Sequence, residues 1–292
     1  MAAPEKYFYL MTGKSLHTNK SASSELEEIQ DALAPLAATP QSTAIFLDLD
    51  GTLAPIVTRP EAVAVPAPIG RLVRKLSHMY LAVTVVSGRP ATEAKRIVSI
   101  SELAYIGNHG FETMLPGRTV VVSEEAQPYL PRIHELVDFC RSMEETTEAG
   151  IWIEDKMSTM SLHYRRAADP EAARRFIEEN IMPRVKQLEL RPSQGRMVIE
   201  VKPPVDVNKG VSVGRLLDQL EARQAVYMGD DTTDIDALKE IRKRRRRKNM
   251  LMVGIGVISE EMPPGLPRYS DLMVKRRSGV EMVLQFLAGE EP

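Results

Sequence analysis

The stretch Ala44-Ile-Phe-Leu-Asp-Leu-Asp-Gly-Thr-Leu-Ala-Pro-Ile56 decides the reading of this chain. Its apolar run has the bulk and length of a strand buried on both faces. It ends in two carboxylates, Asp48 and Asp50, and the chain breaks at Gly51. Buried carboxylates are costly unless a counter-charge offsets their lost hydration. A hard divalent cation provides that charge through oxygen ligands alone, and Mg2+ suits such a site. A carboxylate beside such an ion can itself attack phosphorus.

Working outward, strand and helix alternate. Ile69, Leu72, Val73 and Leu76 share one helical face over 68–78, and 81–86 reads as a buried strand running into Ser87-Gly-Arg-Pro90. A helix over 91–100 and a short strand over 104–106 follow, before Gly107-Asn-His-Gly110. The rhythm changes near residue 126. A helix over 131–143, paired strands over 151–154 and 158–164, a helix over 170–180 and a strand over 197–201 describe a small α+β unit. Alternation then resumes with helices over 209–221 and 233–242 and strands over 225–228 and 251–257. The expected architecture is α/β, a parallel-sheet core of residues 42–125 and 203–292 interrupted by an inserted domain, 126–202. Lys202-Pro-Pro204 is the expected hinge. Residues 1–41 form an extension, weakly ordered over 1–20 and helical over 25–36.

The chain has 292 residues, enough for more than one domain, with 43% hydrophobic and 27% charged residues. A net charge of −2 provides no global field for nucleic acid or membrane, and no apolar run is long enough to span a bilayer. The one cysteine, Cys140, excludes an intrachain disulfide, and its apolar neighbours suggest a packing role. A cytoplasmic protein with a small-molecule partner is expected, without nucleic acid or membrane. The basic run Arg242-Lys-Arg-Arg-Arg-Arg-Lys248 reads as a solvated helix end, and Trp152 as a core residue.

Ligand sites in doubly wound sheets form beyond the carboxyl ends of the strands. Asp48 and Asp50 end one predicted strand, Ser87 follows a second, and Asp230, Asp231 and Asp234 follow a third, with Lys209 opening the helix before it. Phosphoryl transfer needs charge neutralisation and positioning. Mg2+ would be held by Asp48, Asp230 and the backbone carbonyl of Leu49 or Asp50, with Asp231 and Asp234 in support. Lys209 would neutralise Asp48 and a phosphate oxygen, while Ser87 and Gly88 would bind the phosphate. Asp48 would attack, and Asp50 would serve as acid and then base. Glu200, alone among apolar residues in its predicted strand, needs a polar partner.

The combination of Asp48-Leu-Asp-Gly-Thr52, Ser87, Lys209 and Gly229-Asp-Asp-Thr-Thr-Asp234 resembles the haloacid dehalogenase superfamily of phosphatases. Leu49 to Ile56, Val86-Ser-Gly-Arg89, Gly107-Asn-His-Gly110, Leu162-His-Tyr-Arg165, Val198-Ile-Glu-Val201 and Asn208-Lys-Gly210 narrow the resemblance to the trehalose-6-phosphate phosphatases. That resemblance implies a Rossmann-like core with an inserted C2-type cap. It implies a Mg2+-dependent hydrolysis of trehalose 6-phosphate through an aspartyl-phosphate. It also implies sugar contacts from Arg89, His109, Glu154, Lys156, His163, Arg165, Arg196 and Glu200. Arg196 stands where the family more often carries lysine. The alternatives are another sugar phosphate, such as sucrose phosphate or a glucosyl- or mannosyl-glycerate phosphate, and a sugar-phosphate-binding protein without turnover.

Overall fold

The structure is a computed structural model that describes residues 22–57, 62–195, 197–259 and 262–291. The expectation for residues 1–20 and the candidate Arg196 lie outside the described residues. In chain order the elements are α1 (Ala22–Ala37), β1 (Thr43–Asp48), α2 (Ala67–Met79), β2 (Ala82–Val86), α3 (Ala91–Val98), β3 (Ala104–Gly107), β4 (Glu112–Met114), β5 (Val121–Val122), α4 (Leu130–Ser142), α5 (Glu144–Glu148), β6 (Trp152–Asp155) and β7 (Met160–His163). There follow α6 (Pro170–Phe176), α7 (Met182–Gln187), β8 (Arg191–Gly195), β9 (Val198–Lys202), α8 (Lys209–Gln219), β10 (Gln224–Gly229), α9 (Asp234–Arg245), β11 (Leu251–Ile258), α10 (Leu266–Tyr269), β12 (Leu272–Lys275) and α11 (Ser278–Leu287).

Two sheets form among the described residues. The larger has the order β12-β11-β10-β1-β2-β3-β4-β5, parallel except where β4 and β5 add antiparallel strands at one edge. Every residue of β1 is buried, because helices cover both faces and an unbroken apolar run tolerates that. The chain leaves β1 towards β2 and β3 on one side and returns to β10 on the other. This is a topological switch point, and it falls where Asp48 ends β1 and Asp230 follows β10. The mixed α/β class with a parallel core agrees with the sequence reading.

The second sheet, β6-β7-β9-β8, is antiparallel throughout. Its apolar face, with Met160, Leu162, Ile199 and Val201, packs on Ile133, Leu136, Val137 and Cys140 of α4. Trp152 is not in this core. It occupies the edge strand on the face opposite Ile153 and is 50% exposed. The helix expected over 170–180 also runs on, through a π turn at 177–181 into α7. Pro183 has no N–H to donate to the preceding turn, and the wider turn spares its ring a clash.

The appended helix α1 packs on the main core. Ile29, Leu33 and Leu36 are fully buried there, and Glu25 accepts the backbone N–H of Lys275 at 2.8 Å. That bond engages a group on the edge strand β12 that would otherwise invite pairing with another chain. The basic run is less solvated than expected. Arg244 is 4% exposed and donates to Asp218 at 2.6 and 2.7 Å, to Glu240 at 2.7 Å and to the Gly214 carbonyl at 2.9 Å. Arg245 pairs with Asp271, and Arg242 donates to the Arg268 carbonyl.

Candidate active site

β1 delivers Asp48 and β10 delivers Asp230, while Lys209 opens α8 and Asp234 opens α9. The four meet in a buried cluster. Lys209 Nζ donates to Asp48 Oδ1 and to Asp234 Oδ1, each at 2.7 Å. Asp234 also accepts from the Tyr227 hydroxyl at 2.6 Å, and its Oδ2 accepts the backbone N–H groups of Asp230 and Asp231 at 3.0 and 2.9 Å. With four donors Asp234 is saturated, and it serves to aim Lys209 and shape the 230–231 turn. Asp231 contributes its backbone N–H, and its side chain is exposed.

Two acceptors in the cluster have no such partners. Asp48 Oδ2 and Asp230 Oδ1 are buried without a hydrogen bond. Oxygens from Asp48, Asp230 and Asp234 lie within 4.8 Å of one another. Since Asp234 is already saturated, the two orphaned oxygens define where a cation fits, and their all-oxygen character suits a hard divalent ion. Gly51 has φ +98°, and a Cβ there would overlap the Asp230 carboxylate. Only glycine admits that close approach of the β1 turn. The Leu49 carbonyl accepts the Ala54 N–H at 2.8 Å and is thereby engaged.

The charges are only partly balanced. Burial, then repulsion from Asp234, holds the Asp48 carboxyl well above the usual range, and Lys209 offsets part of this. Burial, Asp234 and Asp231 push Asp230 up to about 7. Burial alone would lower Lys209, but Asp234 and Asp48 outweigh it and raise it above its ordinary value. A carboxyl raised on folding binds more protons in the folded chain than in the unfolded one. Its stabilisation is present below its unfolded value and is lost as pH rises through the folded one. The ion-free protein is therefore expected to lose melting temperature from about pH 5 to about pH 8, with a divalent cation restoring it. A flat or rising profile in chelator would contradict the charge assignment.

The remaining candidates fall into three groups. Ser87, 1% exposed, follows β2 beside Asp48, and its Oγ accepts the Arg89 N–H at 3.1 Å, which leaves its own hydrogen free to donate. Gly88 lies against the His109 ring, which a Cβ there would overlap. The Asp50 carboxylate stands apart from the acidic cluster. Arg89 grips it from Nε at 2.8 Å and Nη2 at 3.0 Å, and also binds Glu93 at 2.5 Å.

On the smaller sheet Glu200 Oε1 lies 3.3 Å from Lys156 Nζ and 3.4 Å from His109 Nε2, while His163 meets Glu154 at 2.8 Å. Burial would raise Glu200, but His109 and Lys156 outweigh it and bring it down to about 2. His109, Glu154, Lys156, His163 and Glu200 thus form one polar strip. Arg165 lies on an exposed turn after β7.

Sequence reasoning missed Tyr227 and a buried polar network. Asn108 Nδ2 donates to Glu112 Oε1 at 2.6 Å, to the Lys156 carbonyl at 2.7 Å and to Ser158 Oγ at 2.7 Å. Ser158 also donates to Glu112 at 3.0 Å, and Glu112 Oε2 accepts the Ala91 N–H at the start of α3 at 2.9 Å. Tyr227, a hydroxyl-bearing side chain between the apolar residues Val226 and Met228 of β10, was a readable sign of a buried partner.

A doubly wound sheet with acidic strand ends at its switch point, beside a second inserted sheet, is the build of the haloacid dehalogenase-like hydrolases. A haloacid dehalogenase-like hydrolase from Bacteroides thetaiotaomicron shares it with a TM-score of 0.58 at 13% identity, over 84% of this chain and 99% of that one. A family profile described as trehalose-phosphatase matches residues 46–264, and the chain belongs to that family. The probable trehalose-phosphate phosphatase H of Arabidopsis thaliana is 30% identical over 237 residues, which are 75% of this chain and 64% of the relative. The probable trehalose-phosphate phosphatase 4 of Oryza sativa subsp. japonica is 29% identical over 229 residues, 75% of this chain and 59% of the relative. The chain thus spans roughly three-fifths of the length of the curated relatives it matches. The C-terminal domain of Candida albicans trehalose-6-phosphate phosphatase has the same fold, with a TM-score of 0.67 at 20% identity over 96% of this chain and 100% of that one.

Proposed function

We propose that the protein is a Mg2+-dependent phosphatase that hydrolyses trehalose 6-phosphate. The observation that carries the reading is the pair of buried, unpartnered oxygens on Asp48 and Asp230 beside Lys209. Asp48, Asp230 and the Asp50 carbonyl would hold the ion, because the Leu49 carbonyl is engaged. Mg2+ would supply positive charge to the phosphate oxygens and to the Asp48 carboxylate.

The chain's own groups do the rest. Lys209 neutralises Asp48 and a phosphate oxygen, and the free hydrogen of Ser87 donates to another. The Asp48 carboxylate attacks phosphorus as the bond from phosphorus to the sugar oxygen breaks, giving an aspartyl-phosphate. The leaving oxygen takes a proton from Asp50. Water, deprotonated by Asp50, then attacks phosphorus and frees Asp48 and phosphate. Arg89 holds both oxygens of the Asp50 carboxylate, so that pair must rearrange for Asp50 to reach the leaving oxygen.

The same reading divides the chain into a core of residues 42–125 and 203–292 and a cap of residues 126–202. The polar strip, Glu154, Lys156, His163 and Glu200 of the cap with His109 of the core, would hold the sugar hydroxyls, with Arg165 and Arg196 as further contacts. A cytoplasmic setting belongs to this reading, supported by the buried, unpaired Cys140. Among the described residues no helix is long and apolar enough to cross a membrane.

The test is phosphate release from a panel of trehalose 6-phosphate, sucrose 6-phosphate, glucosylglycerate phosphate and glucose 6-phosphate, with Mg2+ and with chelator. Trehalose 6-phosphate is expected to lead in kcat/KM by about tenfold or more, a discrimination that polar pockets reach readily. Chelator is expected to abolish release. Equal turnover across the panel would overturn the substrate, and undiminished turnover in chelator would overturn the ion.

A further inference from the structure

The cap sheet has two chemically distinct faces. Ile153 pairs with Leu162, and these join Ile199 and Val201 in the cap core. Side chains alternate along a strand, so Trp152, Glu154, His163 and Glu200 share the opposite face. That face looks towards the main sheet, since Glu200 on it meets His109 from the loop after β3. Along β6, Glu154 is the residue linked back to the phosphate loop: Lys156 Nζ lies 3.8 Å from it and 3.3 Å from Glu200, Glu200 lies 3.4 Å from His109, and the His109 ring lies against Gly88. Trp152 lies two residues back along the strand, about 7 Å away at 3.4 Å per residue.

Trp152 is half exposed, yet its ring is not loose. It stacks on His163 with centroids 4.7 Å apart and planes 27° from parallel. His163 is tied in turn to Glu154 at 2.8 Å. A large apolar ring is thus held in one orientation at the rim of a polar strip. Such a surface accepts the face of a flat apolar partner at little ordering cost. A pyranose ring presents a patch of C–H groups on its face and hydroxyls around its edge. The C–H patch suits the indole, and the hydroxyls suit Glu154 and His163. The 7 Å offset from Glu154 is of the order of one sugar ring.

We propose that Trp152, backed by His163, is the platform for the sugar ring farther from the phosphate, and that it makes the site prefer a phosphorylated disaccharide to a hexose phosphate. This rests on the phosphatase reading of the Asp48 site.

Trp152 is the only tryptophan in the chain, so tryptophan emission, excited beyond the tyrosine absorption band, reports on this position alone. The probes are trehalose, glucose and inorganic phosphate, added to the Mg2+-loaded protein. Trehalose is expected to change the emission saturably, and glucose and phosphate to change it little at equal concentration. In kinetics, Trp152→Ala is expected to raise KM for trehalose 6-phosphate about tenfold and to lower the preference over glucose 6-phosphate by a similar factor. Trp152→Phe is expected to restore most of both. Unmoved emission, together with a KM within twofold of wild type in Trp152→Ala, would overturn the platform. If wild type releases no phosphate from any substrate while trehalose still shifts the emission, the platform stands and the phosphatase reading falls. If release is rapid and Trp152→Ala leaves the preference intact, only the platform falls.

Discussion

Asp48→Asn is expected to abolish phosphate release and, at the same time, to make the ion-free protein more stable. The first effect follows from the proposed attack. An amide oxygen is a poor nucleophile, and removal of a nucleophile costs about four or more orders of magnitude in turnover. The second follows from the electrostatics. Three carboxylates crowd round Lys209, and Asp48 lies well above its ordinary range because burial and Asp234 oppose its charge. A neutral amide removes that repulsion while Asp234 still binds Lys209 at 2.7 Å. A gain of about 1 kcal/mol would lift the melting temperature by roughly 2–4 °C for a chain of this size. Phosphate release near the wild-type rate would sink the nucleophile assignment. A lower melting temperature in chelator would sink the account of the charges.

Lys209→Met should fail in the opposite sense. Its ammonium is 2% exposed and serves two buried carboxylates, so its loss leaves like charges facing each other without a counter-ion. Breaking a buried ion pair on one side costs about 3–5 kcal/mol, or on the order of 10 °C in melting temperature. Turnover should also fall about a hundredfold or more, as it does when one fixed charge is taken from a transition state. The two variants are thus inactive for different reasons, and scanning calorimetry separates them. A Lys209→Met protein as stable as wild type would mean that the buried cluster is not charged as described.

The spatial grouping of Asp48, Asp230 and Lys209 was legible because each closes or opens an apolar element, and parallel strands bring like ends together. Strand β1 announced itself by an unbroken apolar run that stops at a carboxylate. Strand β8 did not. Arg191-Pro-Ser-Gln-Gly195 has no alternation of its own, and its extended form comes from pairing with β9. Asn108 and Ser158 are 50 residues apart, and nothing local in either segment names the other. The partners of Asp234 were hidden for a related reason. Lys209 and Tyr227 reach it only after helix and strand pack, which no spacing along the chain encodes. Trp152 misled because a lone tryptophan in an alternating strand has two faces to choose from, and its size favours the buried one.

The Glu112 carboxylate has a consequence for motion. It is 4% exposed and accepts from Asn108, Ser158 and the first turn of α3. Lifting the 156–159 loop away would take the Ser158 hydroxyl from Glu112 and the Lys156 carbonyl and Ser158 Oγ from Asn108, all out of water, a loss of about 1–3 kcal/mol per bond. That end of the cap is therefore a fulcrum. Clearance for a departing sugar has to arise by tilting about it, widest at the far rim, where the indole stands.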